Sequence, residues 1–322
     1  MRPGSVPTPR RALVTGAGGF IGRQTLAPLR AAGYEVHAVI SPSSGAAGPD
    51  QALGSATHVH RADLLDPAGT EALLEAVRPS HLLHFAWIAT PAVYVESSEN
   101  QRWLDASQHL LRAFQRGGGI RAVFAGSCAE YDWSRVGICH ERTSPLAGEA
   151  GGVQSAYARS KIAMQRFLAE FGRTHGLSTA WGRIFFQFGP YEHPQRLVAS
   201  VINDLLAGRA ALCTHGRQIR SFLHVADVGG AFAAVLQSPL EGAVNIGSGR
   251  RISIGQLLEQ VAERIGRPQL LKLGARAAPA GEPAILLPDI ARLSGEAGFA
   301  PAFDLEHGLD DAIAWWRRAR AS

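Results

Sequence analysis

Lysine is nearly absent: of 32 basic residues only Lys161 and Lys272 are not arginine, so composition alone did not place a lysine at either position. Cysteine is equally sparse. Cys128, Cys139 and Cys213 stand in no paired spacing, which argues against a disulfide framework or a cysteine zinc site and for a reducing cytoplasm. No stretch approaches the ~18 apolar residues that a bilayer span needs, and residues 1–11 lack the apolar centre of a secretory signal. The arginines are scattered, without the basic run and interleaved aromatics of a nucleic-acid footprint. A net charge of +5 therefore fits a pocket for an anionic small molecule better than a polynucleotide partner.

What remains is a chain of 322 residues, 46% hydrophobic and 18% charged, which is long and apolar enough for a large core and excludes a disordered polymer. After a Pro/Gly/Ser tail over residues 1–10, expected to be disordered, the pattern alternates. Apolar runs at 12–15, 35–40, 58–62, 81–86, 120–127 and 178–188 read as strands. Helical spacing occupies 20–32, 68–77, 98–115, 154–172 and 197–206. Strands alternating with helices through short connections predict βαβ units and a Rossmann-like, doubly wound parallel sheet. Beyond about residue 190 the alternation weakens, so residues 11–190 read as a dinucleotide-binding domain. Residues 191–322 read mainly as a smaller α/β substrate lobe interleaved with it, closed by a helix over 305–318.

Thr15-Gly16-Ala17-Gly18-Gly19-Phe20-Ile21-Gly22 follows the first strand and opens the first helix. Glycines 16, 19 and 22 allow a tight turn, a close approach to pyrophosphate and close helix packing, with helix amides facing the phosphates. The acid expected at the end of the second strand to hold a ribose 2′-OH is missing: Ile40 and Ser41 stand there. A carboxylate there would oppose a 2′-phosphate by about 4 kcal/mol at 4 Å. Its absence favours NADP(H), with NAD(H) as the alternative; Arg23, Ser41, Ser43 and Ser44 are the candidates to hold the phosphate.

Tyr157 and Lys161 are four apart, hence on one helix face. With five tyrosines and two lysines, about 0.03 such pairs are expected by chance. A lysine about 4 Å away supplies roughly the 4 kcal/mol needed to bring a phenol toward neutrality, so Tyr157 is expected to be unusually acidic and to exchange a proton with a carbonyl or alcohol oxygen. Ser127, at a strand's C-terminal end, is placed to orient that oxygen. Cys128 is the competing neighbour.

At these residues the chain resembles the extended short-chain dehydrogenase/reductases, in the branch of nucleotide-sugar epimerases, dehydratases and 4-ketoreductases. The resemblance implies Ser127, Tyr157 and Lys161 as catalytic residues. It implies Gly16, Gly19, Phe20, Ile21, Gly22, Arg23, Ser41, Asp63, Leu64, Phe85, Ala86, Tyr157 and Lys161 as cofactor contacts. Thr90, Tyr94, Gln187, Arg196, Leu197, Arg220 and Asn245 would bind a nucleotide-diphosphate sugar, Arg220 and Arg196 at its diphosphate; Trp87, Trp133 and Phe186 would help to shape the sugar pocket. A homodimer through the helices at 98–115 and 154–172 is likewise implied; composition and motif spacing, read separately, lead to no expected membrane, nucleic-acid or metal partner.

Departures from the family pattern narrow the reaction. The 4,6-dehydratases carry Asp-Glu after the serine or threonine, where this chain has Cys128-Ala129, so dehydration is not expected; Ala129 also replaces the cysteine used in coupled 3,5-epimerisation. The 4-epimerases use an acid where Ile40 stands and an asparagine where Phe186 stands. The expectation is an NADPH-dependent 4-ketoreductase of deoxysugar biosynthesis acting on an NDP-4-keto-6-deoxysugar. An NDP-sugar 4-epimerase is the closer rival and a non-catalytic dinucleotide-sensing regulator the distant one. His58-Val59-His60 suggests metal binding on one strand face but offers no identifiable third ligand; His224-x-x-Asp227 reads as a buried pair, and Cys139-His140 as a loop without partners.

Overall fold

A computed structural model describes residues 10–43, 51–91, 93–149 and 154–321. Ser44 and residues 1–9 of the expected tail lie outside them. Arg10, assigned to that tail, is docked: its guanidinium donates to the Ala32 carbonyl at 2.7 Å and lies over the Tyr34 ring.

Seven strands form one parallel sheet: β1 (Arg11–Thr15), β2 (Glu35–Ile40), β3 (His58–Arg61), β4 (His81–His84), β5 (Arg121–Ser127), β6 (Ser178–Ile184) and β7 (Gly242–Ile246), in the order β7-β6-β5-β4-β1-β2-β3. The period of two along each strand explains why both faces are apolar. Ala12 and Val14 enter one core with α1 (Leu26–Ala31), while Leu13 enters the other with α2 (Pro67–Val77) and α3 (Glu99–Arg116). Helix α4 (Ala156–His175) packs on the second face. Strand order reverses between β1 and β4, the switch point at which such sheets open a crevice at their C-terminal ends.

A third apolar cluster joins α5 (Leu197–Leu206), α7 (Ile254–Ile265) and α8 (Leu305–Ala321), all from the stretch read as a smaller lobe. Helix α6 (Val225–Gln237) and β7 come from the same half of the chain, yet pack into the main sheet through Phe232 and Val244.

Two expected elements are broken. The helix expected over 20–32 is a 3-10 turn, Gly22–Thr25, followed by a six-residue α1. Pro28 has no amide to donate, so it is tolerated only in a first turn, and the α-helix starts at Leu26. The strand expected over 178–188 stops at Ile184; Phe186–Phe188 pairs instead with Phe222–His224 in a separate two-stranded sheet.

Candidate active site

The glycine loop is built on two close approaches. Gly16 has φ +66°, and a Cβ there would sit 2.8 Å from the Ala86 amide nitrogen; a Cβ on Gly22 would sit 2.2 Å from the Gly16 carbonyl. Neither position accepts a side chain. Gly19 is exposed at the lip, between the half-buried Gly16 and Phe20. An anion here would meet loop amides and a 3-10 turn rather than the start of a long α-helix, which corrects the sequence expectation.

Gly16, Ile40, Ser41, Ser43, Asp63, Leu64 and Trp103 line one cleft of about 320 Å³. Residues expected to hold the adenosine half of a dinucleotide, 16, 41, 63 and 64, therefore converge. The Ser41 and Ser43 hydroxyls are 2.8 Å apart, and no carboxylate replaces Ile40. Arg23 is turned to the loop instead: it donates to the Gly18 and Gly19 carbonyls and stacks on Tyr191 at 3.9 Å.

Beyond β4, the Phe85 amide bonds to the Thr15 carbonyl at 3.2 Å, which seats Phe85 and Ala86 above the glycine turn. Buried His84 fixes this corner. Ser107 donates to the Trp103 carbonyl and so accepts from His84 Nε2, which leaves His84 Nδ1 to accept from Thr15. Burial lowers the His84 pKa to about 3, so the ring stays neutral.

The three residues expected to be catalytic, Ser127, Tyr157 and Lys161, are positioned by β5 and α4. Ser127 ends β5, and Ser155 caps α4 by accepting from the Ala158 amide, so Tyr157 and Lys161 occupy its first two turns. The Lys161 ammonium donates to the Ala125 carbonyl at 2.9 Å and lies 3.8 Å over the Trp87 ring and 5.7 Å from the Tyr157 ring centre. Trp87, read from sequence as a sugar-pocket wall, is thus the floor under the lysine; its indole N–H donates to Asn100. The Tyr157 ring stands edge-on to Tyr94 at 4.8 Å.

The electrostatics reverse one expectation. Burial raises the Tyr157 phenol above its ordinary value, with Tyr94 adding to the rise and the Ser127 side chain opposing it. Burial likewise lowers Lys161 to about 7, against the pull of Glu130. The phenol's own burial sets the direction, against the expectation of an unusually acidic tyrosine. The Tyr157 phenol is thereby held in its protonated form. Burial pushes the Cys128 thiol up to about 12, so it stays a protonated thiol at neutral pH.

On the substrate side the expected residues separate. Thr90 is exposed, and its carbonyl accepts from the Val93 and Tyr94 amides, curving that loop over Tyr157. Gln187 is half-buried in the Phe186–Phe188 strand; Phe186 lies against Phe222 and under the Arg220 guanidinium. Arg196 is half-buried and Leu197 exposed where α5 begins. Arg220 is only 2% exposed, with its charge held by Glu282 at 3.1 Å, so it is not an open phosphate clamp. Asn245 is corrected outright. It lies in β7, fully buried, accepts from the Tyr131 hydroxyl and donates to the Cys139 and Asp289 carbonyls, so it ties strands together inside the protein and does not face a cleft.

Residues 12–247 match the family model described as the NAD dependent epimerase/dehydratase family. The chain belongs to that family. Among similar proteins, a dTDP-glucose 4,6-dehydratase of Streptomyces griseus is 28% identical, covering 96% of this chain and 94% of its own length. A dTDP-4-dehydro-6-deoxy-D-allose reductase of Streptomyces bikiniensis is 27% identical, with 96% of each chain covered. The crystal structure of a UDP-glucose 4-epimerase of Thermus thermophilus in complex with NAD is 27% identical, at TM-score 0.82, covering 96% of this chain and 99% of that one. The chain is thus an NAD(P)-dependent enzyme of the epimerase/dehydratase family, and its glycine cradle and nucleotide cleft fit that cofactor class.

One component of this family member's site escaped the sequence reading. Glu130 is fully buried beside Ser127 and accepts from the Ser127 amide at 2.7 Å, from Trp181 Nε1 at 2.9 Å and from Arg183 Nε at 2.7 Å. It locks the serine turn to β6. The signal was present: Ser127-x-x-Glu130 has capping-box spacing, and an arginine interrupts an apolar strand at 183. Glu130→Gln leaves Arg183 buried without its counter-charge, and the expected cost is about 3 kcal/mol in urea unfolding. Two weaker readings also change: His140 meets Asp289 at 2.7 Å, and His224 faces Asp311 while the Asp227 carboxylate accepts from the Ala302 and Phe303 amides.

Proposed function

We propose that this chain is an NADPH-dependent 4-ketoreductase that reduces C4 of an NDP-4-keto-6-deoxysugar in deoxysugar biosynthesis. The observation that carries the reading is the pair after Ser127. Elimination of water needs an acid and a base there; this chain offers Ala129 and a Cys128 thiol whose pKa is about 12, neither of which exchanges protons at neutral pH. Ser127 and a protonated Tyr157 suit the reducing direction, in which the ketone oxygen must gain a proton. Bound NADPH would supply the hydride.

The Ser127 hydroxyl orients the keto oxygen, Tyr157 gives it the phenolic proton, and the Lys161 ammonium on its Trp87 floor balances the charge left on the phenol. In the nucleotide cleft, Ser41 and Ser43 are the groups for a 2′-phosphate, since Arg23 is engaged elsewhere. Ile40→Asp adds a second carboxylate to that cleft, beside Ser41 at the end of β2, in addition to Asp63. The expected outcome is at least a hundred-fold loss of NADPH affinity relative to NADH, following the Coulomb cost of about 4 kcal/mol for two unit charges 4 Å apart near a protein surface. Competitive fluorescence titration with the two cofactors measures it.

The deciding assay mixes the purified enzyme, NADPH and a panel of NDP-4-keto-6-deoxyhexoses. Stoichiometric loss of NADPH absorbance with formation of the C4 alcohol supports the proposal. Interconversion of an NDP-hexose with its C4 epimer and no net NADPH consumption would replace it with a 4-epimerase.

A further inference from the structure

At the far end of β2 from the nucleotide cleft, four imidazole and carboxylate side chains meet on one face of the sheet. Register brings them there: β2 and β3 are parallel with His37 opposite His58 and Val39 opposite His60, so the period of two aligns Glu35 and His37 with His58 and His60. Sequence alone showed two histidines of this group and no third ligand. The third and fourth come from the neighbouring strand.

We propose that Glu35 Oε1, His37 Nε2 and His58 Nε2 bind one divalent transition ion of the zinc class, with water completing the shell. In a tetrahedral zinc site with bonds of 2.0–2.1 Å, ligand atoms stand about 3.3 Å apart. Glu35 Oε1 is 3.2 Å from His37 Nε2 and 3.3 Å from His58 Nε2, so two edges of the tetrahedron are already at length. All three ligand atoms lie within 4.8 Å of one another, and a turn of the half-exposed His58 ring closes the remaining edge.

The surroundings suit a metal ligand set. Without an ion, His37 Nε2 donates to Glu35 Oε1 at 3.2 Å; an ion would displace that proton, and His37 Nδ1, 2.9 Å from His60 Nε2, could then carry the ring's proton and donate it to His60. The opposing charge is Arg11, whose Nε donates to the other Glu35 oxygen at 3.1 Å and so orients the carboxylate without occupying Oε1. Two nitrogens and one oxygen select zinc, nickel or copper over magnesium or calcium. His37 and Val39, which lines the nucleotide cleft, are two steps of β2 apart, about 7 Å, with the ligand group toward the start of the strand and the cleft at its end. The ion's effect is to clamp the outermost strand β3 to β2.

The test uses the full-length, tag-free enzyme, stripped with a chelator and titrated with zinc sulfate. The expected result is one zinc per chain by calorimetry, a rise of about 4 °C in Tm at a hundred-fold excess over Kd, and the visible bands of tetrahedral cobalt on replacement. Exposed His58→Ala and Glu35→Gln should each abolish the stoichiometric binding, while His215→Ala, an exposed histidine elsewhere, should leave it intact. His60→Ala should weaken binding about ten- to a hundred-fold, and His60→Gln, whose carbonyl can still accept from His37, should restore it. Zinc binding that is absent from the wild-type chain, or equal in His58→Ala and wild type, overturns the proposal.

Discussion

Replacing Tyr157 by phenylalanine is expected to lower kcat by about three orders of magnitude while leaving cofactor affinity and fold intact, the range associated with loss of a positioned proton donor. The substitution removes one oxygen. The ring keeps its edge contact with Tyr94, and the backbone amide keeps its bond to the Val95 carbonyl at 2.9 Å. Stability should therefore change by less than about 1 kcal/mol, the scale of one hydrogen bond. Because burial holds the phenol above its ordinary value, the pH profile of reduction should show no descending limb from this group in the neutral range. Ser127→Ala, which removes an orienting hydroxyl and no proton source, should cost less than Tyr157→Phe. Steady-state NADPH consumption read beside NADPH titration checks both; a Tyr157→Phe enzyme retaining a tenth of wild-type kcat would remove Tyr157 from the donor role.

The groups whose function depends on neighbours in sequence are legible in the chain itself. Tyr157 and Lys161 need only the helix period, and the loop from Gly16 to Gly22 needs only the missing side chains. The nucleotide cleft is legible for a related reason: Ser41 and Asp63 each follow a strand of the parallel sheet, so topology delivers both to one end. Interactions set by register or by long separations are hidden. Glu130 and Arg183 are 53 positions apart, and the Glu35–His58 contact exists only because β2 and β3 pair with His37 opposite His58. Asn245 was misplaced because β7 returns to the main sheet after a long excursion through the smaller lobe, which no local pattern announces. The direction of the phenol's shift was missed because the expectation counted a lysine charge about 4 Å away and left out burial of the phenol itself, which is the larger effect.

Burial against Trp87 makes Lys161 expensive to the fold, and Lys161→Met is expected to inactivate the enzyme and stabilise it at once. A lysine ordinarily titrates at 10.5, and in the folded chain burial lowers this one to about 7. Between those values the unfolded chain holds a proton that the folded chain has released, so folding becomes more favourable as pH rises, by about 1.4 kcal/mol per unit. Below pH 7 both states are protonated and the full desolvation cost stands. Methionine keeps the stem packed on Trp87 and removes the charge, while the Ala125 carbonyl loses a donor at a cost of about 1 kcal/mol. The net gain at pH 7 is on the order of 3 kcal/mol, alongside a loss of activity of at least a hundred-fold. Urea unfolding at a series of pH values reads it directly: wild-type stability should climb from pH 7 toward pH 10, and the Lys161→Met curve should lie above it at neutral pH and lack that climb. Parallel curves for the two proteins would mean that Lys161 is solvated and charged in the folded state, and Trp87 would then have no role as its floor.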